Sequence, residues 1–410
     1  MTIRKQLLIK YINKSSLFEF HRIRKTSGLC IFLIIALLVN LTLNINCRGG
    51  SIWQDAINKF EYLYERGDFI ESKKAAEYAL ELARETKKNI KSKLVESYTN
   101  LGMAEISLQN LESGEKKIYK ALEILDSNKG ENQRLYAVCN IHIGQVHSLK
   151  GDIPKAMQYL NSARQYFLEN KDLQSDDYAK LLEIIAQIHF SISDYKGSEK
   201  HYRESLNIRE KFILDKQNSL AQCSNNLAAV LRIKGEFQES EHYTKKALEI
   251  WERIFSSEHK NVGIGLNNLG VIYKLQARYE EAEATLSRAL LINEKFLGED
   301  HIELAPDYNN MAQLMHSKGN YAPAETYYQK AINILMQDEE GYRFEIGQIS
   351  ANRGELHFSI GNYKKALTCF SDAINQISFS NVEQKKAILK SIDKRRKQIE
   401  EILSYNFDKE

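Results

Sequence analysis

Five cysteines and ten histidines are the residues of this 410-residue chain best suited to chemistry, and their spacing gives them no common task. No Cys-x-x-Cys occurs, so neither a zinc ribbon nor a dithiol redox pair is encoded. Cys139, Cys223 and Cys369 fall where small apolar core residues are expected, and Cys139 and Cys223 lie beyond disulfide reach of each other. The histidines form no His-Glu-x-x-His pair on a helix face. Gly263-Ile264-Gly265 followed by Gly270 has the wrong spacing for a dinucleotide loop, and no nucleophile elbow or phosphate loop is present. The chain is therefore not expected to be an enzyme, to hold a metal or cofactor, or to take a small-molecule substrate. What recurs is a pattern of amides and cations. Asn225-Asn226, Asn267-Asn268 and Asn309-Asn310 are each followed, six residues on, by Arg232, Lys274 and His316. An Asn amide donates and accepts at once, which suits the backbone of an extended peptide. Arg232 and Lys274 would attract acidic side chains, and His316 would add a pH-dependent share.

These residues need elements to carry them. The composition is 43% hydrophobic and 27% charged, with 3 prolines and 20 glycines, which favours long helices over a many-turned all-β chain. The chain repeats itself. Units beginning at Trp53, Val95, Ala137, Ala179, Ala221, Gly263, Ala305 and Gly347 fit a constant period of 42. Position 20 is small in every unit, from Ser72 and Gly114 to Ala366, and so is position 27, from Ala79 to Ala373. Position 8 is Gly or Ala in seven units, with Phe60 the exception. Position 17 is always large, from Phe69 to Tyr363. Small residues at 8, 20 and 27 let two helices approach, and the large one is expected to plug the space between them. Pro154, Pro306 and Pro323 all fall in the first turn of an expected helix, where a missing N–H costs little. His147, His189 and His357 share position 11, which reads as packing between the helices of a unit. His259 and His301 share a linker position and are a repeat feature.

These columns resemble the tetratricopeptide repeat. Segments 247–273 and 289–315 look like its 42-residue subtype, found in kinesin light chains and many bacterial proteins. The resemblance spans 53–380. It departs at His259-Lys260 and His301-Ile302, where the subtype has His-Pro, and in lacking a heptad coiled coil before the repeats. It implies an all-α fold: a right-handed α-solenoid of eight helix-turn-helix repeats plus a C-terminal capping helix. It further implies that positions 2, 5, 6, 9, 12 and 13 of the first helices line the concave face. The Asn pairs occupy positions 5 and 6, and Arg232, Lys274 and His316 position 12. Asn at position 6 has a structural reading too, as a bond to the neighbouring helix. Aromatic platforms for a polysaccharide would come from Tyr64, Phe190 and Phe358 at position 12, which are scattered.

The two ends differ from the repeats. Of the net charge of +3, residues 1–50 carry +7, leaving −4 for the remainder, so nucleic acid is a poor partner. Residues 28–45 are eighteen without charge, long enough to cross a bilayer as a helix. We expect a basic cytoplasmic segment at 1–27, a transmembrane helix or signal segment at 28–46, and repeats outside the cytoplasm, in the periplasm or at a bacterial cell surface. An uncleaved anchor and a lipoprotein signal with lipid on Cys47 both fit; a cleaved signal fits less well. Residues 381–404 read as the capping helix and 405–410 as a tail, with Lys390, Lys394, Arg395, Arg396 and Lys397 in water. The functional expectation is a membrane-tethered interaction scaffold binding an extended, acidic peptide segment in its groove. The alternative is an envelope assembly factor docking by its convex face or edge.

Overall fold

The computed structural model describes residues 52–86, 89–126, 132–212, 216–380 and 385–407. Sixteen of its α-helices form eight consecutive hairpins. In chain order these are α1 (Ile52–Glu65) and α2 (Phe69–Glu85), α3 (Ile90–Ser107) and α4 (Leu111–Asp126), α5 (Gln133–Leu149) and α6 (Ile153–Glu169), α7 (Asp176–Ser191) and α8 (Tyr195–Arg209). They continue with α9 (Gln217–Lys234) and α10 (Phe237–Ile254), α11 (Lys260–Leu275) and α12 (Tyr279–Leu297), α13 (Ala305–Ser317) and α14 (Tyr321–Leu335), α15 (Glu339–Ser359) and α16 (Tyr363–Phe379). A last helix, α17 (Lys385–Phe407), follows. The fold is the expected all-α solenoid. The segment 28–46 and Cys47 lie outside the described residues; among those described, no helix is long and apolar enough to cross a membrane.

One turn closes every hairpin. Position 15 takes a left-handed φ in all eight units: it is Gly67, Gly151, Gly235, Gly319 and Gly361 in five, and Gln109, Ser193 and Ala277 in the others. The N–H of position 16 then donates to the C=O of position 11 in each, from Asp68 to Leu63 through Asn362 to His357. This 6→1 bond satisfies a carbonyl that the ending helix leaves open. Asp152, Asp194 and Asn362 at position 16 also cap the second helix with their side chains. The shared linker histidines have a matching role: His259 Nδ1 accepts from the Asn261 N–H and His301 Nδ1 from the Glu303 N–H, capping the next unit.

Positions 20 and 27 are buried in every unit. Position 8 does more than allow approach, because it lies under position 24. A Cβ on Gly102 would fall 2.4 Å from Ile118 Cδ1, and one on Gly270 2.5 Å from Leu286 Cγ. Position 24 is buried throughout, as Ala76, Ile118, Leu160, Tyr202, Thr244, Leu286, Tyr328 and Phe370. The exception at position 8 is explained by this pairing: where Phe60 is large, Ala76 opposite is small, and both belong to one apolar cluster. Position 17 does not plug the interior. It is the first residue of each second helix and is half-buried in seven units, with Tyr321 exposed. Its rings meet position 12 instead, with centroids 5.4 Å apart for Tyr64–Phe69, 5.6 Å for Phe190–Tyr195 and 5.8 Å for Phe358–Tyr363. The position-12 aromatics are thus occupied in packing rather than offered as platforms.

Helix α17 packs on α16. Ile392 and Ile399 are buried against Ala366, Phe370, Ala373 and Ile377. It ends at Phe407, beyond the expected limit of 404. Its basic residues are not simply solvated: Arg395 bonds Glu355 at 2.8 Å and lies over the Phe358 ring, while Arg396 and Lys397 pair with Asp393.

Candidate peptide-binding groove

First helices of successive units touch one another at every step but that from α7 to α9, where the contact is weak or lacking, whereas second helices are bridged by long charged pairs such as Arg203–Glu239 and Arg288–Glu252. The odd-numbered helices therefore line the inner, concave side. The paired asparagines stand there, and the structure uses them across unit boundaries. Asn268 Nδ2 donates to Asn225 Oδ1 at 3.0 Å, Asn310 to Asn267 at 3.1 Å, and Asn352 to Asn309 at 3.2 Å. Position 6 of one unit thus bonds position 5 of the unit before it. The recurrence of Asn at both positions follows from this ladder, which holds α9, α11, α13 and α15 in register. Each amide retains donor and acceptor capacity beyond that one bond. Asn225 is buried, while Asn226, Asn267, Asn268, Asn309 and Asn310 are half-buried. The ladder is a frame, and peptide contact at these positions would use only what it leaves over.

The cations one turn and a half further along are different. Burial alone lowers the proton affinity of the Arg232 guanidinium. Lys274 is pushed down to about 8, first by burial and then by the Arg232 charge, and among the described residues no carboxylate is a cause of either shift. Lys274 Nζ donates to Gln313 Oε1, a neutral partner at position 9 of the next unit. His316 meets Ser359 Oγ at 3.0 Å, and burial lowers its pKa against a weaker opposing pull from Glu355. Ile233 and Leu275, at position 13 beside the two cations, are exposed. Units five and six therefore present uncompensated positive charge next to exposed aliphatic surface. The apolar neighbours and Gln313 were absent from the expected site. The column at position 13 could have signalled the first; the second is a contact between units.

The sign of the inner face reverses along the solenoid. Units one and two contribute Glu61, Glu65 and Glu96, with Glu96 raised in pKa by burial and by the Glu61 charge. They border a chamber of about 540 Å³ within units one to five, whose walls also carry Asp177, Lys180 and Arg209. Arg209 is buried and paired with Asp176 and Glu183. A second cavity, about 900 Å³, opens between α13, α15 and α17, with Asn309, Asn352, Ile349 and Ile392 among its walls. The histidines at position 11 pack as expected between helices: His147 stacks on Tyr159 and His189 on His201. Cys139, Cys223 and Cys369 are free and buried, and the described residues hold no group of three or more His, Cys, Asp or Glu placed to bind a metal ion. Large exposed apolar residues of the outer helices, such as Tyr78, Leu168, Leu291 and Phe379, stand in separate units.

A solenoid of helix hairpins with a polar inner face is an extended binding surface by construction. The family model for the tetratricopeptide repeat matches residues 93–169, 177–253, 219–290 and 261–337, more than half of the sequence. The chain belongs to the tetratricopeptide repeat family. Among solved structures, it is similar to the apo form of RapI, at 17% identity over 70% of this chain and 98% of that one, with a TM-score of 0.53. A Rap protein complexed with competence and sporulation factor matches at 15% identity over 86% of this chain and 98% of that one, also at 0.53. BtubC (BKLC) from P. vanneervenii is 22% identical over 56% of this chain and 91% of that one, at 0.46. No match was found among curated proteins.

Proposed function

We propose that the protein is a non-catalytic interaction scaffold whose groove at units five to seven takes an extended, net-acidic peptide segment. The observation that carries this is the Arg232–Lys274 pair: two half-buried cations, the charge of the first disfavouring that of the second, with no carboxylate acting on either among the described residues. Holding like charges together in a partly desolvated groove is unfavourable, and an arriving carboxylate relieves it. Ile233 and Leu275 would receive an aliphatic side chain beside that carboxylate, and the Asn frame would meet the peptide backbone.

The pH dependence follows from Lys274. A bound carboxylate favours its charged form, which predominates below pH 8 and is lost above it. Binding of a fluorescein-labelled, Glu-rich decapeptide, followed by anisotropy, should therefore weaken about tenfold between pH 7 and pH 9.5, the worth of one charge-assisted bond of ~1.5 kcal/mol. Lys274→Arg keeps its charge over that range and should flatten the profile. Equal affinity for a Gln-rich control peptide, or no loss in Arg232→Ala/Lys274→Ala, would remove the groove as the site.

We further propose that residues 28–46 tether the scaffold to a bacterial membrane, either as an uncleaved anchor or through lipid on Cys47, with the repeats outside the cytoplasm. The apolar run and the seven Lys/Arg before it support this. A C-terminal reporter active only in the cytoplasm should stay silent; a bright one would refute the orientation. Labelled fatty acid entering wild type but not Cys47→Ser would select the lipidated form.

A further inference from the structure

Contacts in a solenoid run between neighbours, yet here unit one also meets the segments that lead into α9 and α11. Glu65, at the end of α1, accepts from Ser219 Oγ at 3.1 and 3.3 Å, and Lys216 Nζ stands 3.6 Å from the same carboxylate. Arg66 lies over the Phe255 ring, 5.8 Å from its centroid, and Lys260 over Phe69 at 5.5 Å. Asp68 and Arg66 also act on His259. The first five units thus bend into a closed coil, with the hairpin turn of unit one against the entry ends of α9 and α11.

This seam differs in kind from the packing inside the units. Hairpins are joined through columns of buried aliphatic and small residues, whereas the seam consists of charges, a hydroxyl and cation–ring contacts. It is also thinly filled: the chamber of about 540 Å³ lies on its inner side, and a further cavity of about 710 Å³ lies along it, with Tyr62, Glu65, Lys216 and Phe255 among its walls. The charges facing Lys216 are Glu65 and Glu61 of α1, across the seam, and Asp176 of the adjoining α7, so the attraction across the seam is electrostatic and comes from the two α1 carboxylates, Glu65 foremost. Such contacts weaken when salt screens them, while apolar hairpin packing does not.

We infer that the Glu65–Lys216–Ser219 seam is a latch that opens and closes the coil of units one to five around its central chamber. Closed, it encircles any chain segment lying along the inner face of those units, which can then leave only endwise. Open, it exposes the chamber from the side without unfolding a repeat, because every hairpin keeps its own neighbours. The latch does not depend on the acidic-peptide site, since Glu65 and Lys216 lie at the far end of α9 from Arg232.

The test uses the full chain in detergent with Cys30 and Cys47 replaced by Ser. Spin labels are placed at Lys59→Cys in α1 and Ser256→Cys after α10, both exposed positions. Pulsed dipolar measurements at low salt should give one short distance population. One molar salt, where the screening length falls to about 3 Å, should add a longer one. Glu65→Lys should show the longer population already at low salt, and Glu65→Gln, which keeps a partner for Ser219 but no charge, should respond little to salt. Unchanged helical circular dichroism and thermal midpoint would show that only the coil has opened. A single short distance in Glu65→Lys, or a wild-type distance indifferent to salt, overturns the latch.

Discussion

Ending the chain at Ser380 should convert a cooperatively folding solenoid into one that aggregates. Phe370 and Ile377 are almost wholly buried, and α17 supplies part of their cover through Ile388, Leu389, Ile392, Ile399 and Leu403. Burying a side chain of this size is worth roughly 1.5–3 kcal/mol, so exposing both costs several kcal/mol at the terminal unit. The loss falls where it does most harm, because a solenoid end without a polar cap is an open apolar face. Arg395 would go too, leaving Glu355 without its bond and Phe358 uncovered. Light scattering and thermal denaturation of the truncated chain would check this. A truncated protein that stays dispersed and melts at the wild-type temperature would show that α17 is dispensable. Ile399→Asp should reproduce much of the defect in the full chain by placing a charge where the wild-type side chain is fully buried.

Phe60→Ala should destabilise unit one by about 3–5 kcal/mol, more than the same truncation at most apolar positions. The reason lies across the hairpin. In the other seven units a residue at least as large as Thr at position 24 fills the space above Gly or Ala. Unit one inverts the pair, so removing the Phe60 ring leaves Ala76 facing a void that no other side chain of the pair can fill. The companion substitution is the sharper measurement. Phe60→Ala/Ala76→Leu restores the arrangement of Ala186–Tyr202 and Ala312–Tyr328 in kind, and should recover about half or more of the lost stability. Ala76→Leu alone should be destabilising, by about 1–3 kcal/mol, because it forces carbon into a filled site. Chemical denaturation of the three variants would give the coupling. Strict additivity would mean that the two positions do not complement one another.

The repeats were legible in the sequence because their physics is local. A hairpin of two helices needs small residues where the backbones meet, a turn that ends one helix, and a cap that starts the next. Each demand recurs once per unit, so the columns at positions 8, 20 and 27 announced the fold. The left-handed residue at position 15 was less visible, since Gln109, Ser193 and Ala277 hold it without being glycine. At position 17 size does not mean burial: the residue that opens the second helix can turn its ring across the hairpin turn onto position 12.

What the sequence could not decide was anything that depends on how far one unit is turned against the next. The Asn pairs were visible, but only the stacking of units shows that position 6 bonds position 5 of the preceding unit and so makes them a frame. Arg232 and Lys274 were visible as cations; their mutual repulsion in a half-buried groove arises because α9 and α11 set them side by side. The contact of Glu65 with Lys216 and Ser219, about 150 residues away, has no periodic signal at all. It is the sum of a small rotation repeated at each unit, and a sum of rotations is written in the tertiary structure alone.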